Sequence, residues 1–303
     1  MSTPSLDADI LIVGAGPAGV AAALMATSLN MKVLVVEADS VGGKLQTIGA
    51  LENVSGNWTT GPQLTEALAA DLSRLEQAGR CSLVRSRAVG VKGHSDRVEV
   101  LLADAQVLTA QAVVVGTGVT PMAPADTNWI SAVPSLSTPP LWRAKPEQVG
   151  PQTYVLGGDR PLGTWLRAHP QSSATLNVLA PSTDDYKLAE VSGDDRVRVI
   201  PVSHVSISQP HHSADFIVEV ENREGERSTY AATAVLSNLG NRPAALDGLT
   251  VDEAGYCPPE IQHARIFIAG DLRSGRFQRI TTAQGSGAEA ALAYYYSTAL
   301  ERV

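Results

Sequence analysis

The sequence predicts an α/β protein built in three layers, with helices on both faces of mainly parallel sheets. Residues 10–13 form a run of branched apolar residues, typical of a strand buried on both sides, and a glycine turn and an alanine-rich segment follow at once. Residues 112–115, 154–156 and 265–269 are further apolar runs, and each leads directly into a glycine. Repeated units of strand, turn and helix are typical of layered α/β domains.

The first glycine turn is the most informative motif of the chain. Residues 14–19 have the spacing G-x-G-x-x-G directly after a predicted strand. In this spacing Gly14 permits a tight turn, Gly16 lets the backbone approach a pyrophosphate, and Gly19 lets the helix and the strand pack closely. The free N–H groups at the start of the following helix then face the phosphates.

The segments that flank this turn favour a dinucleotide site. A helix is predicted over residues 20–29, and a second apolar strand over residues 32–36 ends in Glu37. An acidic side chain at that position is placed to accept hydrogen bonds from ribose hydroxyls. The alternative is a glycine turn that serves only the packing of strand and helix.

Length and charge limit the remaining possibilities. With 303 residues the chain is long enough for two domains, each with its own core. The formal net charge is −8 and the basic residues do not cluster, which argues against nucleic acid or an anionic membrane as a partner. Residues 1–9 lack a basic start, so no signal peptide is predicted, and the next apolar stretch is broken by glycines, unlike a membrane span. The expected location is cytoplasmic.

Cysteine and histidine usage predicts no metal site. Cys81 and Cys257 are the only cysteines and lie far apart in sequence, which excludes a C-x-x-C redox pair and a multi-cysteine metal site. Each is predicted to be a free thiol. His211 and His212 lie in a polar stretch, where solvated side chains are expected rather than metal ligands.

The other segments complete a second domain and return to the first. Residues 38–47 are predicted to be a glycine-rich loop that wraps a ligand, and residues 63–78 a scaffold helix with leucines on one face. Residues 120–151 are rich in proline and are predicted to be a connector without long regular elements. Further strands are predicted within residues 81–115 and over residues 175–179, 197–202, 215–220 and 234–237, and a long final helix over residues 280–300.

Four separated motifs, taken together and in order, carry a family resemblance. They are residues 14–19 with Glu37, Gly-Gly-Lys-Leu at residues 42–45, Gly-Thr-Gly at residues 116–118, and Ala-Gly-Asp at residues 269–271. On these motifs the chain resembles the low-molecular-weight thioredoxin reductases and related flavoproteins with two dinucleotide-binding domains, over essentially its whole length. The resemblance implies two Rossmann-like domains: a split FAD-binding domain, residues 1–118 and 243–303, and an inserted, degenerate pyridine-nucleotide-type domain, residues 119–242.

The resemblance also assigns FAD-binding roles to particular residues. It places the turn glycines at the pyrophosphate, Glu37 at the adenosine ribose, and Asp271 at the ribitol chain. Gln46, Thr47 and Asn53 would border the isoalloxazine ring, and the helix from Ile280 would point its positive end at the flavin N1 and C2 carbonyl. The full set of implied cofactor residues is Gly14, Gly16, Pro17, Ala18, Gly19, Glu37, Gly43, Lys44, Leu45, Gln46, Thr47, Asn53, Thr117, Gly118, Gly270, Asp271, Arg279, Ile280 and Thr281. No catalytic residue is assigned.

Two departures from the family concern electron transfer. The family carries a C-x-x-C pair shortly before its second glycine motif, and the matching place here is residues 140–143, Pro-Leu-Trp-Arg, so electrons cannot leave through a disulfide there. In the second motif Asp159 replaces a phosphate-facing glycine, and Pro161 removes a backbone donor. Asp184 and Asp185 lie where the family places basic residues for the 2′-phosphate of NADPH. The sequence therefore predicts against NADPH and leaves NADH open.

Three further side chains allow two interpretations each. Arg279 stands where the family has glutamine, and either it pairs with the flavin N1 and C2 carbonyl or it points to solvent or to a carboxylate. Trp142 either stacks on the flavin or fills a core between the domains. Cys257 is either a reactive thiol or a small buried residue.

These observations support three functional hypotheses. The first is an FAD-dependent oxidoreductase that uses neither NADPH nor a redox disulfide, with a protein or a small molecule as electron donor. The second is an FAD-binding redox sensor or interaction protein without turnover. The third is a weak NADH-dependent flavin or quinone reductase. The resemblance also implies a homodimer, for which the apolar faces of residues 64–75 and 288–300 offer surface.

Overall fold

The computed structural model describes residues 6–133, 136–210, 213 and 215–300. His211 and His212, for which a solvated turn is expected, lie outside the described residues. The chain divides into two compact units: unit 1 comprises Met1–Thr120 and Pro243–Val303, and unit 2 comprises Pro121–Arg242. Each unit contains a sheet of parallel strands with helices, which confirms the predicted α/β fold class.

Strands outnumber α-helices along the described residues. In chain order the strands are β1 Ala8–Val13, β2 Val33–Glu37, β3 Cys81–Arg85, β4 Ala88–Gly93, β5 Val98–Leu102, β6 Val107–Val115, β7 Val119–Pro121, β8 Ile130–Ala132, β9 Thr153–Leu156, β10 Leu176–Ala180, β11 Val197–Pro201, β12 His204–Ser208, β13 Phe216–Glu221, β14 Arg227–Ala232, β15 Ala234–Ser237, β16 Asn241–Pro243 and β17 Ile266–Ile268. The α-helices are α1 Pro17–Ser28, α2 Gly61–Gln77, α3 Pro161–Ala168, α4 Asp185–Leu188 and α5 Ile280–Leu300.

The sheet of unit 1 brings the four motifs to one edge. Its strand order is β3-β2-β1-β6-β5-β4, and β17 also pairs with β6. The pairs β1–β2, β1–β6, β2–β3 and β6–β17 are parallel, so the carboxyl ends of these strands lie along the same edge. Strands β4 and β5 run antiparallel beside β6 and supply the small sheet expected from residues 81–115. The motif turns follow the ends of β1, β6 and β17, and Glu37 ends β2.

Helices α1 and α5 pack closely because both are built from small residues. Ala18, Ala22, Ala23 and Ala26 of α1 are almost fully buried, as are Ala290 and Ala291 of α5. A Cβ atom on Gly287 would lie 1.9 Å from the backbone oxygen of Ala18, so a side chain at position 287 would force the helices apart. The glycine- and alanine-rich sequence is therefore a requirement of this crossing.

Helix α2 buries the leucine face that was expected to offer a dimer surface. Leu64, Leu68, Leu72 and Leu75 are 2–5% exposed and belong to the core of unit 1. Burial of each stabilises the fold by about 1.5–3 kcal/mol, and none of this face remains for a partner. The prediction of a docking surface at these leucines was wrong because an amphipathic helix does not reveal from sequence whether its own domain covers it. The scaffold role predicted for this helix agrees with the packing.

Unit 2 combines a parallel sheet with an antiparallel one. The parallel sheet has the order β11-β10-β9-β15, and Trp165 of α3 packs against it and donates its Nε1–H to the Ala144 oxygen at 2.7 Å. The second sheet has the order β14-β13-β12-β8. Strands β12 and β14 were not predicted, since their apolar residues are interrupted by serines and charged residues.

The proline-rich segment after residue 120 is more than a connector. Ile130–Ala132 pairs in parallel with β12, with Ile130 opposite Val205, so the segment supplies a strand of unit 2. Short 3-10 helices also form in this segment, at Pro124–Asp126, Leu141–Arg143 and Pro146–Gln148. None of the helices in the described part of the chain combines the length and apolar character that a bilayer crossing requires.

Candidate functional site

The turn between β1 and α1 leaves the N-terminus of helix α1 accessible. Gly14 has φ +97°, and a Cβ there would lie 2.6 Å from the backbone oxygen of Gly116. A Cβ on Gly19 would lie 1.8 Å from the Gly14 oxygen, so position 19 also excludes a side chain. Gly16, by contrast, would place its Cβ more than 4 Å from other heavy atoms, and no side chain caps α1. The N–H groups at this helix start can therefore receive an anion such as a phosphate.

Glu37 is held against this turn by backbone donors. Its Oε2 accepts a hydrogen bond from the Ala15 N–H at 2.6 Å, and its Oε1 accepts one from the Asp39 N–H at 2.9 Å. The carboxylate is thus fixed at the end of β2, beside the glycine turn. Each oxygen keeps acceptor capacity for a second hydrogen bond, as ribose recognition requires.

The segment after β2 is a helix rather than the predicted loop. Gly43–Thr47 forms a 3-10 helix, preceded by Gly42 with φ +86°. Gly42 donates its N–H to the Ala15 oxygen at 2.8 Å, which ties the segment to the glycine turn. Leu45 is buried in the core of unit 1 and fixes the local backbone. The loop prediction was wrong because the burial of this one leucine and the i to i+3 bonds outweigh the glycine pair.

The Gly-Thr-Gly and Ala-Gly-Asp motifs are each tied down by a long-range hydrogen bond. Thr117 Oγ1 donates to the Ala244 oxygen at 2.7 Å, at the point where the chain returns to unit 1. Gly270 donates its N–H to Ser286 Oγ of α5 at 2.8 Å. A Cβ on Gly270 would lie 3.0 Å from the Ala18 Cβ, so this turn lies directly beside α1.

Asp271 is a half-buried carboxylate that accepts no hydrogen bond from any described residue. Burial raises the pKa of its carboxyl group, and the charges of Lys44 and Arg279 act in the opposite direction. Such a group is costly unless a donor meets it. Hydroxyl groups are donors of this kind. The residues present therefore fit an FAD. The accessible helix start at Gly16 suits its phosphates, Glu37 suits a ribose, and the Asp271 carboxylate suits a ribitol hydroxyl.

The start of α5 places Arg279 near Asp271. Arg279 is exposed, donates from Nη1 to the Gln278 oxygen at 2.8 Å, and donates its backbone N–H to Thr282 Oγ1 at 3.1 Å. Its positive charge acts to lower the pKa of Asp271, against the larger effect of burial. An exposed guanidinium near a carboxylate is compatible with both interpretations of Arg279, which stay predictions.

The candidate residues divide into two groups. The structure brings the first glycine turn together with Glu37, Gly43 to Leu45, Thr117, Gly118, Gly270 and Asp271, all at one sheet edge. Among the described residues, the side chains of Gln46 and Thr47 bond to Ser40 and Lys44 of their own segment, and Asn53 and Thr281 are exposed. Ser286 and Ala244 were missed, because each acts through a partner more than 15 residues away, for which the sequence holds no local signal.

Unit 2 contains a second glycine turn, and charged side chains of the same unit occupy the space beside it. After β9, Gly157 has φ +87°, and the Gly158 N–H donates to Asp184 Oδ2 at 2.8 Å. Lys187 Nζ lies 3.2 Å from Asp159 Oδ1 and 3.1 Å from Asp184 Oδ1. Burial lowers the pKa of Lys187, but the two carboxylates outweigh this effect and raise it. We call Asp159, Asp184 and Lys187 the unit 2 cluster.

The unit 2 cluster corrects the prediction for Asp184 and Asp185. Both residues were expected at the place where the family binds the 2′-phosphate of NADPH, which they would repel. Asp184 is instead 9% exposed and turned onto the glycine turn, whereas Asp185 is exposed and pairs with Arg223 at 2.7 Å. Neighbouring residues have different roles here because the helical turn after Ser182–Asp184 rotates their side chains apart.

The two cysteines are buried, whereas Trp142 is partly exposed. Burial raises the pKa of the Cys81 thiol and of the Cys257 thiol to about 11, so both are protonated at neutral pH. For Cys257 the buried alternative therefore holds. Trp142 is 38% exposed, with the Arg143 guanidinium 4.6 Å above its ring, and it does not fill the core of unit 2.

Comparisons with known proteins find relatives among flavin-dependent oxidoreductases. Residues 9–133 match a family model described as FAD dependent oxidoreductase. The chain is 25% identical over 304 residues to the bifunctional thioredoxin reductase/thioredoxin of Mycobacterium leprae, with 94% of this chain and 64% of that protein covered, so it spans about two thirds of that relative. It is 23% identical over 323 residues to the thioredoxin reductase of Mycolicibacterium smegmatis, with 96% and 97% covered.

Solved structures show the same fold. Thioredoxin reductase of Lactococcus lactis matches with a TM-score of 0.72 and 21% identity, covering 96% of this chain and 99% of that one. Thioredoxin reductase of T. acidophilum matches with a TM-score of 0.70 and 20% identity, covering 97% and 99%. The chain thus has the fold of the thioredoxin reductases, and over almost its whole length it is similar to them in sequence. The matching family model and these relatives imply FAD as its cofactor.

Proposed function

We propose that the chain is an oxidoreductase that holds one FAD in unit 1, takes electrons from a donor other than NADPH, and passes them on without a redox disulfide. The observation that carries the proposal is the unit 2 cluster. The groups that would meet a nucleotide phosphate are already engaged: the Gly158 N–H bonds to Asp184, and Lys187 lies between two carboxylates. A further phosphate would meet Asp159 and Asp184 as like charges.

In the proposed site each part of FAD is held by a different group of unit 1. The helix start behind Gly16 receives the pyrophosphate, Glu37 accepts from the adenosine ribose, and Asp271 accepts from a ribitol hydroxyl. The N-terminal end of α5 and the charge of Arg279 favour negative charge on the flavin side of the site. Bound FAD supplies an acceptor of one or two electrons.

The absence of cysteines at residues 140–143 supports the second half of the proposal. Leu141–Arg143 is a 3-10 helix in which Trp142 is exposed, and both cysteines of the sequence are buried elsewhere as protonated thiols. A thiolate is needed to exchange electrons with a disulfide. We therefore infer that the flavin passes its electrons directly to the electron acceptor.

NADH is the second candidate donor, and one observation favours it. Asp184 accepts from the second N–H of its glycine turn, Gly158, as Glu37 accepts from Ala15 in the first turn. An acidic residue at this point suits an unmodified ribose hydroxyl and opposes a 2′-phosphate. This candidate gives a weak NADH-dependent flavin or quinone reductase.

The donor is tested by anaerobic mixing of the FAD-loaded protein with NADPH, NADH or dithionite, followed by flavin absorbance. We expect the flavin to stay oxidised for minutes with NADPH and to bleach at once with dithionite. Bleaching by NADH alone would select the reductase alternative. Rapid bleaching by micromolar NADPH would contradict the proposal, and a protein that no physiological class of donor reduces would instead be a binding protein or sensor without turnover.

The oligomeric state and the location of the protein stay predictions. The family resemblance implies a homodimer, and the leucine face of α2 is excluded as its contact. Exposed apolar side chains of α5, Tyr295 and Tyr296, offer an alternative surface within unit 1. A cytoplasmic location is expected from the sequence and awaits fractionation of cells that produce the protein.

A further inference from the structure

We infer that residues 273–279, the arginine segment, form a docking surface for a small acidic electron-carrier protein. The inference rests on the proposed function, because it names the class of donor that replaces NADPH. The segment reads Arg-Ser-Gly-Arg-Phe-Gln-Arg and lies between the Asp271 turn and helix α5 of unit 1. Its charge, its exposed aromatic ring and its connection to the candidate FAD site carry the argument.

The arginine segment carries three arginines within seven residues, a local exception to the scattered basic residues of a chain with a net charge of −8. Arg273 is neutralised by Glu289, at 2.8 Å. Arg276 is exposed, and its guanidinium forms no hydrogen bond or ion pair with any described residue. Among the described residues the Arg279 guanidinium donates to the Gln278 backbone oxygen, and its charge acts on half-buried Asp271. Arg276 and Arg279 thus present two guanidinium groups to solvent, where carboxylates of a partner can bind them in bidentate fashion.

Phe277 adds an apolar contact between these two arginines. Its side chain is 82% exposed, and its backbone has φ +59°, a conformation that bulky residues rarely adopt. The Phe277 oxygen accepts from Thr282 Oγ1 at 2.6 Å, so the first turn of α5 fixes this conformation. An aromatic ring flanked by arginines is typical of the centre of a protein interface. A small charged substrate would make no use of the ring, whereas a protein partner buries it.

The arginine segment is connected directly to the candidate FAD residues. Gln278 Nε2 donates to the backbone oxygens of Asp271 and Ser274, both at 3.1 Å, so the segment folds back onto the turn that bears Asp271. Arg279 directly precedes Ile280, the first residue of α5. A carrier bound at Arg276 and Phe277 therefore lies beside the residues assigned to the flavin end of FAD.

The electron count fits a one-electron carrier of the iron–sulfur type. Each docking event oxidises one reduced carrier and delivers one electron to the bound FAD. Two successive events supply the two electrons of full reduction, and the accompanying protons come from solvent. The carrier leaves oxidised after each transfer, so a weak, salt-sensitive complex suits the reaction.

The test uses the full FAD-loaded chain and a reduced acidic [2Fe–2S] ferredoxin as probe, mixed anaerobically in a stopped-flow instrument. Arg276→Glu is compared with Lys92→Glu, which makes the same charge change at an exposed position of β4 in unit 1. We expect Arg276→Glu to lower the second-order rate constant of flavin reduction about tenfold at low ionic strength, and Lys92→Glu to change it less than twofold. Phe277→Ala should lower the rate without changing its salt dependence.

The outcomes separate this inference from the proposed function. Reduction by dithionite should be equal in all variants, which shows that the FAD site is intact. Equal rates with ferredoxin for Arg276→Glu and Lys92→Glu would overturn the docking surface. A wild-type chain that ferredoxin does not reduce, but that a small reductant other than NADPH does, would overturn the inference and leave the proposed function standing. Failure to retain FAD would refute the proposed function itself.

Discussion

At the scale of single residues, the candidate site contains two carboxylates, one of which is hydrogen-bonded by the protein and one of which is not. Glu37 already accepts two backbone hydrogen bonds, so its position is set by the polypeptide alone. Asp271 accepts none from the described residues, and burial raises the pKa of its carboxyl group. The first carboxylate is preorganised, while the second is an unfavourable charge that a ligand hydroxyl can relieve. Functional sites often carry this kind of cost to the stability of the unliganded protein.

Asp271→Asn should therefore separate stability from binding. Because the folded-state pKa is raised, the carboxylate lowers the stability of the apoprotein as pH rises above the ordinary Asp range, and the amide removes that cost. We expect the apoprotein variant to be more stable at pH 7 by about 1 kcal/mol and to bind FAD at least tenfold more weakly. Urea denaturation of the apoprotein and fluorescence titration with FAD measure the two effects. A variant that loses stability would contradict the assigned state of Asp271.

At the scale of elements, small residues allow close helix packing in unit 1, and charged side chains bond to a glycine turn in unit 2. Gly287 lets α5 lie against the Ala18 backbone, and Ser286 on the same helix holds the Gly270 turn. In unit 2 the cluster of Asp159, Asp184 and Lys187 supplies to its own glycine turn the polar contacts that a bound phosphate could make. The second glycine turn therefore has its hydrogen-bond partner within unit 2, whereas the helix start at Gly16 is accessible to a ligand.

The neighbouring residues Asp184 and Asp185 give a matched pair of variants. Asp184→Ala removes the acceptor of the Gly158 N–H and leaves Lys187 with one carboxylate, so we expect it to lower the free energy of unfolding by about 1.5–3 kcal/mol. Asp185→Ala breaks an exposed pair with Arg223 and should cost less than about 1 kcal/mol. Urea midpoints of the transition that reports unit 2 measure both. Equal effects would mean that Asp184 is as exposed as its neighbour.

At the scale of the whole molecule, the burial of the α2 leucines restricts how two copies can associate. Any dimer has to use surface outside Leu64, Leu68, Leu72 and Leu75. We predict a homodimer, with a mass by light scattering at micromolar concentration of about twice the 31.7 kDa of one chain. Leu68→Ala should destabilise the fold by about 2–5 kcal/mol and leave the mass of the folded protein unchanged. A monomeric mass for the unmodified protein would contradict the prediction.

The sequence predicted those parts of the fold that depend on neighbours along the chain. The predicted start of the final helix at residue 280 agrees with the structure, and so does the order of strand, turn and helix around residues 14–19, because glycine and apolar spacing act locally. The structure differs where distant contacts decide the outcome. Leu45 turns a loop into a 3-10 helix by its burial, and Asp184 faces Gly158, which lies 26 residues earlier.

The insertion of unit 2 into unit 1 has a consequence for how the chain acquires its structure during synthesis. Strand β17 and helix α5 complete unit 1, and the ribosome makes them only after all of Pro121–Arg242. Unit 2 can therefore fold first, while residues 113–115 of β6, which pair with β17, and the α1 surface that α5 covers stay uncovered until residues 266–300 have been made. The nascent chain exposes an open sheet edge during that interval, which makes this stage the one most in need of a chaperone.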